Sequence, residues 1–282
     1  MPGTLFVVAT PIGNLEDVTA RALRVLREVS LIAAEDTRRT AHLLARYAIT
    51  TPTTSLHEHN ENRKAPSLIE RLQKGENVAL VSDAGTPTVS DPGQRLIRMA
   101  IDVGIRVEAI PGPSAPVAAL AASGISADTF TFMGFPPTRS KDRSRWLADV
   151  RSAGRPVVFF EAPHRILRTL KELQNVAGDQ YVVVARELTK AHEELVRGPI
   201  STVLERLLEP RGEFTVVLDI GRSTNYARRD LPDVTQIVSE FGSMTANDRS
   251  SRRAAIKALA KRYGVSANTV YAAIEQDKKS GE

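Results

Sequence analysis

Residues 78–93 read VALVSDAGTPTVSDPG, four apolar residues that empty into a loop of Asp, Gly, Thr, Ser and Pro. An apolar run of this length closed by turn residues predicts a buried strand. The loop after it falls at the strand's carboxyl end, where open α/β sheets hold their ligands. Gly85 and Gly93 let the backbone approach a ligand closely, Pro87 and Pro92 restrict the chain, and Ser82, Thr86 and Ser90 bring short hydroxyls. The loop has neither Lys nor Arg. A triphosphate cradle needs the Lys of G-x-x-x-x-G-K-[ST], so a loop carrying Asp83 and Asp91 suits a ribose, an amino group or a cation instead. The same residues also read, without any ligand, as a rigid connection in which Asp91 caps the next helix at Pro92.

The pattern recurs outward from this stretch. Residues 4–9 (TLFVVA) run into TPIGN, residues 31–34 (LIAA) into EDTRR, and residues 106–110 into PGPS. Between them, Val18, Ala22, Val25, Leu26 and Val29 fall at helical spacing, and helices over 64–74 and 92–103 close at Gly75 and Gly104. Residues 115–123 are small and apolar, a close-packed helix. Strand, polar loop and helix in repetition predict an α/β layer with a largely parallel sheet. After a strand at 129–133 and a long polar segment at 136–146, a second α/β unit begins. Its strands are expected at 157–160, 181–185 and 214–220, with an edge segment near 193–197 and helices to about 176 and near 199–208. EAPHR (161–165) and ARELTK (185–190) are again polar strand exits. Residues 221–233 read as a polar linker.

With 282 residues, 42% hydrophobic and 25% charged, the composition is that of a globular protein of two domains and an appendage. No apolar run reaches membrane-spanning length and no charged-then-apolar leader is present, so neither a membrane partner nor secretion is expected. The absence of Cys excludes disulfides and thiolate metal sites, and fits a cytoplasmic protein. The net charge of +5 resides in the tail: from Arg249 onward eight Lys or Arg face three acids, leaving the first 248 residues neutral. A basic tail on a neutral body fits a nucleic-acid partner. Within it, Ala255, Leu259 and Tyr263 precede Gly264 and a second stripe of Val265, Val270, Tyr271 and Ile274, the spacing of a helix-turn-helix or of a packed helical hairpin.

Two motifs exclude chemistry. ATPIGN places Pro11 where Rossmann-type proteins carry G-x-G, which argues against a dinucleotide or a methyl donor held in the Rossmann manner. SLHEHNENR lacks H-E-x-x-H, and its two His at i, i+2 suit substrate contact or loop structure rather than a metal, so no metal site is expected.

Taken together, GTLFVVATPIGNLEDVTARAL (3–23), LIAAEDTRRT (31–40), SLHEHNE (55–61), LVSDAGTPTVSDPG (80–93), IPGPSA (110–115), FFEAPHR (159–165) and ARELTKAHEE (185–194) resemble the small-subunit ribosomal RNA 2′-O-methyltransferases of the tetrapyrrole-methylase superfamily. The resemblance implies two α/β domains, 1–113 and 114–224, with S-adenosylmethionine in the cleft between them, a basic helical tail over 225–282, and a homodimer. It also implies methylation of the ribose 2′-hydroxyl of a decoding-centre cytidine in the 16S rRNA of the 30S subunit. The donor site would take Pro11, Asp83, Ala84, Gly85, Thr86, Pro87, Val89, Ser114, Ala115, Glu161, Phe214 and Thr215. Candidates for a base are Glu161, His164, Glu187, Lys190 and His57. RNA contact would fall to Asn14, Arg38, His57, His59, Asn60, Arg139, Arg165 and Arg186, with Arg39, Lys141, Arg143 and Arg145 as exposed cations along a phosphate path. Thr88 stands where the family often has a larger apolar residue, and Arg139 where it has Lys. The rival readings are a tetrapyrrole C-methylase and a protein methylase of the diphthamide pathway, which share the fold, and a DNA-binding regulator with a ligand-sensing body.

Overall fold

The computed structural model describes residues 1–208, 210–220, 234–247 and 251–263, together with 267, 270, 271 and 274. Five parallel strands, β1 (Thr4–Val8), β2 (Leu31–Ala34), β3 (Thr53–Ser55), β4 (Val78–Val81) and β5 (Arg106–Ile110), form a first sheet in the order β3-β2-β4-β1-β5. β2 and β4 are buried at every position, which is why their sequences are unbroken apolar runs rather than alternating ones. Helices α1 (Ala20–Glu28) and α2 (Thr37–Arg46) cover one face, packing Val8, Leu26, Ile32, Leu44 and Ile110 into one core. Helices α3 (Glu61–Gln73) and α4 (Gln94–Asp102) cover the other, around Leu5, Leu68, Leu72, Leu80 and Leu96. The helices begin where the sequence supplies caps: Thr19 accepts the Ala22 N–H at 3.1 Å, and Asp36 the Arg38 N–H at 2.9 Å.

After α5 (Ala115–Ser123), the strands β6 (Thr131–Phe132), β7 (Val157–Glu161), β8 (Tyr181–Arg186), β9 (Glu194–Pro199) and β10 (Phe214–Leu218) build a second sheet in the order β6-β7-β10-β8-β9. It is mixed: β6 and β7 run parallel, and the remaining pairs are antiparallel. Helices α6 (Ser140–Ser152), α7 (Ile166–Ala177) and α8 (Ile200–Arg206) cover one face around Phe159, Leu170, Val184 and Val216, while α5 packs Ala119 against Val158, Val183 and Val217 on the other.

The polar segment at 136–146 departs from expectation. Its greater part becomes the first half of α6, and Arg143 is 5% exposed rather than a surface cation. Arg143, Trp146 and Val150 share the inward face of the helix, and the Trp146 ring meets Phe159 edge to face at 5.2 Å. Arg143 tolerates burial because Glu172 accepts from its Nε at 2.6 Å and Thr169 from its Nη2 at 2.7 Å.

Both sheets lie in a unit spanning Met1–Arg222, and Ser223–Glu282 forms a second unit. In the latter, α9 (Val234–Asn247) and α10 (Arg252–Tyr263) contribute, with Val270 and Ile274, to a core of Ile237, Leu259, Val270 and Ile274. Ala255 and Leu259 are buried as their spacing predicts, whereas Tyr271 is exposed and carries Arg252 over its ring at 5.6 Å. The linker expected at 221–233 and the turn expected at Gly264 and Val265 lie outside the described residues. Among the described residues, no helix is long and apolar enough to cross a membrane.

Candidate active site

The polar strand exits of both sheets meet in one cleft of about 440 Å³, a size ordinary for a small-molecule site. Its first wall consists of Ile12 after β1, Glu35 and Arg39 after β2, Asp83 to Thr86 and Val89 to Asp91 after β4, and Ser114 to Pro116 entering α5. The second wall consists of Phe135, Phe160 to Pro163 at the end of β7, and Gly212 to Thr215 at the start of β10.

Backbone bonds fix the first wall. Thr10 and Gly85 exchange N–H···O bonds of 2.8 and 3.0 Å, which ties the loop after β1 to the loop after β4. Gly85 has φ 78°, left-handed backbone that favours glycine, although a Cβ there would meet Ile12 at an ordinary contact distance of 3.4 Å. In the same loop Thr88 (φ 71°) and Ser90 (φ 67°) also adopt left-handed backbone, a strain that clusters at ligand sites. The loops after β2 and β4 brace each other: Asp83 accepts the Asp36 N–H at 3.0 Å, and Glu35 accepts the Asp83 N–H at 3.2 Å.

The cleft is acidic. Among the described residues its lining carries Glu35, Asp83, Asp91, Glu161 and Glu213 against the single cation Arg39, which itself pairs with Asp83 at 3.4 Å. Burial, reinforced by the neighbouring Glu35 and Asp83 charges, pushes Asp91 up to about 6 despite a bond from Ser82; burial also raises Glu35. A carboxyl group with a raised native pKa makes folding favourable at low pH and loses that contribution as pH climbs from its unfolded value through about 6. Asp91→Asn therefore melts at a higher temperature than the parent protein at pH 7.5, and the difference narrows toward pH 4; a difference independent of pH would contradict this assignment.

Of the residues expected to hold the donor, Asp83, Ala84, Gly85, Thr86, Val89, Ser114, Ala115, Glu161, Phe214 and Thr215 line the cleft, while Pro11 and Pro87 are both buried and do not line it. Glu161 has no accessible side-chain surface: it accepts from the Ala162 N–H (2.9 Å) and Thr169 Oγ1 (2.5 Å) and pairs with Arg165 at 3.3 Å. Lys190 contacts Glu187 and Glu213 at 2.9 and 3.0 Å. Burial opposes its charge, but those two bonds outweigh burial and keep it protonated above its ordinary range. Burial likewise opposes the charge of Glu187, and the Glu213 N–H and Lys190 outweigh it. His164 is exposed and does not line the cleft.

The expected RNA-contacting residues are more dispersed. Arg38 is 88% exposed on the Asp36 cap, and Arg139 is exposed at the start of α6. Asn60 is buried, accepting the His57 N–H at 3.0 Å, while the His57 and His59 rings lie 6.1 Å apart. Asn14 donates its N–H to Thr189 at 3.0 Å, Arg165 donates to the Pro136 carbonyl, and Arg186 donates to the Arg211 carbonyl at 2.8 Å. Among the described residues no three His, Cys, Asp or Glu are placed to hold a metal ion. Sequence reading did not single out Phe135, Glu213 or Arg39 as cleft residues; Glu35 and Arg39 stand at a polar strand exit, the signal that found the others.

The sequence profile of the Tetrapyrrole (Corrin/Porphyrin) Methylases matches residues 4–204. The chain is 47% identical over 218 residues to "Ribosomal RNA small subunit methyltransferase I" of Thermotoga maritima, across 77% of this chain and 98% of that one. It is 41% identical over 280 residues to the protein of the same name from Escherichia coli O157:H7, across 97% and 96% of the two chains. Among solved structures, the uroporphyrin-III C-methyl transferase from Thermus thermophilus complexed with S-adenyl homocysteine shares the fold, with a TM-score of 0.57 at 18% identity over 77% of this chain and 97% of the other. The protein whose two sheets meet in this acidic cleft belongs to the tetrapyrrole methylase family, and is a methyltransferase of the ribosomal RNA small subunit methyltransferase I group.

Proposed function

We propose that the cleft binds S-adenosylmethionine and presents its methyl group to the ribose 2′-hydroxyl of a decoding-centre cytidine in 16S rRNA, with the 30S subunit as substrate and a cytoplasmic homodimer as the working form. The observation that carries the donor assignment is the charge of the first wall: among the described residues Glu35, Asp83 and Asp91 face the cleft there, Arg39 is the one cation and is paired with Asp83, and such a surface suits a sulfonium cation better than a phosphate. The Thermus protein of the same fold is described with S-adenyl homocysteine bound. The names of the two relatives given above support small-subunit ribosomal RNA as the substrate class. The donor site would draw on Asp83, Ala84, Gly85, Thr86 and Val89 from one wall and Glu161, Phe214 and Thr215 from the other. The lobes are assigned to 1–113 and 114–224, a boundary supported by the packing of α5 on the second sheet.

Bound S-adenosylmethionine would supply an activated methyl carbon: a C–O bond to the 2′-oxygen would form as the C–S bond breaks, with S-adenosylhomocysteine as the leaving thioether and the hydroxyl proton passing to a base or to water. The chain contributes mainly orientation, which is worth several orders of magnitude in such displacements. Glu161 is held by three partners and serves to shape the cleft, while Lys190, kept charged by two carboxylates, holds the loop after β8 in place. Incubation with labelled S-adenosylmethionine and either 30S subunits or naked 16S rRNA, followed by mapping, tests the reading. A single cytidine carrying an alkali-resistant 2′-O-methyl mark is expected; label in a base or in a tetrapyrrole instead would overturn it.

The basic second unit is assigned to RNA binding. Removing residues 223–282 should weaken 30S binding and flatten its dependence on salt, because every phosphate no longer neutralised by a lysine or arginine takes roughly one unit from the slope of log affinity against log salt. An unchanged slope would exclude the unit from the RNA surface.

A further inference from the structure

Phe135 is 54% exposed, unusual for so large an apolar side chain, and it sits on the lining of the cleft. Its position is built rather than incidental. β6 extends by two further bonds, from the Met133 N–H to Val158 and from the Phe160 N–H to the Gly134 carbonyl, each 2.9 Å. Gly134 then turns the chain at φ 57°, where a Cβ would stand 3.3 Å from Ser90 Oγ on the opposite wall. Immediately after Phe135, Arg165 donates to the Pro136 carbonyl and Arg143 to the Pro137 carbonyl at 3.3 Å. Behind it the rings of Phe132, Phe160 and Phe135 form a ladder, with centroids 5.1 and 5.3 Å apart. A rigid aromatic ring supported by such a ladder and half open to solvent, at the rim of a methyl-transfer cleft, is a surface for a planar ligand.

We propose that Phe135 is the platform on which the base of the target nucleotide stacks once it is splayed out of the RNA, which sets the ribose against the methyl donor. The inference rests on the function proposed above. Single-nucleotide recognition in RNA depends on unstacked bases meeting aromatic side chains, and such stacking tolerates any base because each has a π face. Phe135 therefore positions the nucleotide, and discrimination of cytidine falls to polar groups of the cleft.

The test measures methyl transfer to 30S subunits and, separately, S-adenosylmethionine binding by calorimetry, for Phe135→Ala, Phe135→Leu, Phe135→Tyr and Phe135→Trp. Ala and Leu should each raise the KM for the subunit about tenfold or more, with donor affinity unchanged and the melting temperature held, since the ring is half exposed. Tyr and Trp should restore the parent KM. Recovery by Leu would make the site a merely apolar contact and overturn the proposal. So would a loss of donor affinity in the Ala variant with an unchanged KM for the subunit, which would assign the ring to the donor. A parent protein that marks rRNA, alongside an Ala variant identical to it, sinks the platform alone; a parent that marks no rRNA sinks the function and the platform together.

Discussion

Arg143→Ala lowers the free energy of unfolding by about 3 kcal/mol, at the lower end of the 3–5 kcal/mol cost of breaking a buried ion pair. The guanidinium is 6% accessible and joins three partners: Glu172, Thr169 and the Pro137 carbonyl. Its removal takes from Thr169 the bond its oxygen accepts, although the hydroxyl still donates to Glu161, and leaves Glu172 with Arg168 at 2.8 Å as its remaining cation. That surviving pair, and the partial exposure of Glu172, are why the loss stays near the lower bound. Arg143→Met, which keeps volume without charge, should recover part of the loss. Arg24→Ala, which breaks an exposed i, i+4 pair with Glu28, should change stability by no more than about 0.5 kcal/mol. Urea midpoints of the three variants decide the matter, and an Arg143→Ala midpoint equal to that of Arg24→Ala would show that the buried network contributes nothing.

Gly13→Ala has the largest expected effect on turnover. A Cβ at Gly13 would lie 2.5 Å from Lys190 Cγ, 2.8 Å from the Leu188 carbonyl oxygen and 2.8 Å from Thr189 Oγ1. The lysine methylene can swing aside, but the carbonyl cannot, and Thr189 Oγ1 is fixed by the Asn14 N–H. Glu187 and Thr189 already hold positive φ values of 52° and 66°, so the loop after β8 has little freedom left to yield. The loop after β1 must therefore retreat, and through the Thr10–Gly85 bonds it moves the wall of the cleft with it. A displacement of about 1 Å at a reacting centre costs roughly a hundredfold in rate, and overpacking of this kind costs about 1–3 kcal/mol in stability. The measurement is kcat/KM for methyl transfer beside a melting curve. A Gly13→Ala protein of parental kcat/KM would show that the contact between these loops is not needed for turnover.

What was legible in the sequence follows from locality. β2 and β4 fall where their apolar runs end in turn residues, because a strand buried on both faces needs no partner to be visible; β5, a partly exposed edge strand, is marked instead by the Pro-Gly-Pro turn that ends it. The loop after β4 could be read as lining a cleft from its place at a strand's carboxyl end and its glycines. Arg143 could not be read in this way: its burial depends on Glu172 and Thr169, on the following helix, and nothing within α6 announces them. Phe135 and Glu213 reach the cleft only because β6 and β10 flank β7, a pairing that no local pattern encodes. α9, by contrast, left a signal that went unread: Ile237, Phe241 and Met244 recur at helical spacing and pack into the core of the second unit.

The strand order of the first sheet bears on how the chain is made. β4 is inserted between β1 and β2, so Leu5 pairs with Val78 on one side and Val107 on the other, and never with the strand that follows it in sequence. A nascent chain on the ribosome thus leaves β1 without either native neighbour until Val78 has emerged, and only β2 with β3 can pair earlier. Until then the apolar residues of β1 have no sheet of their own to join, a stretch that a chaperone at the tunnel exit would be placed to cover.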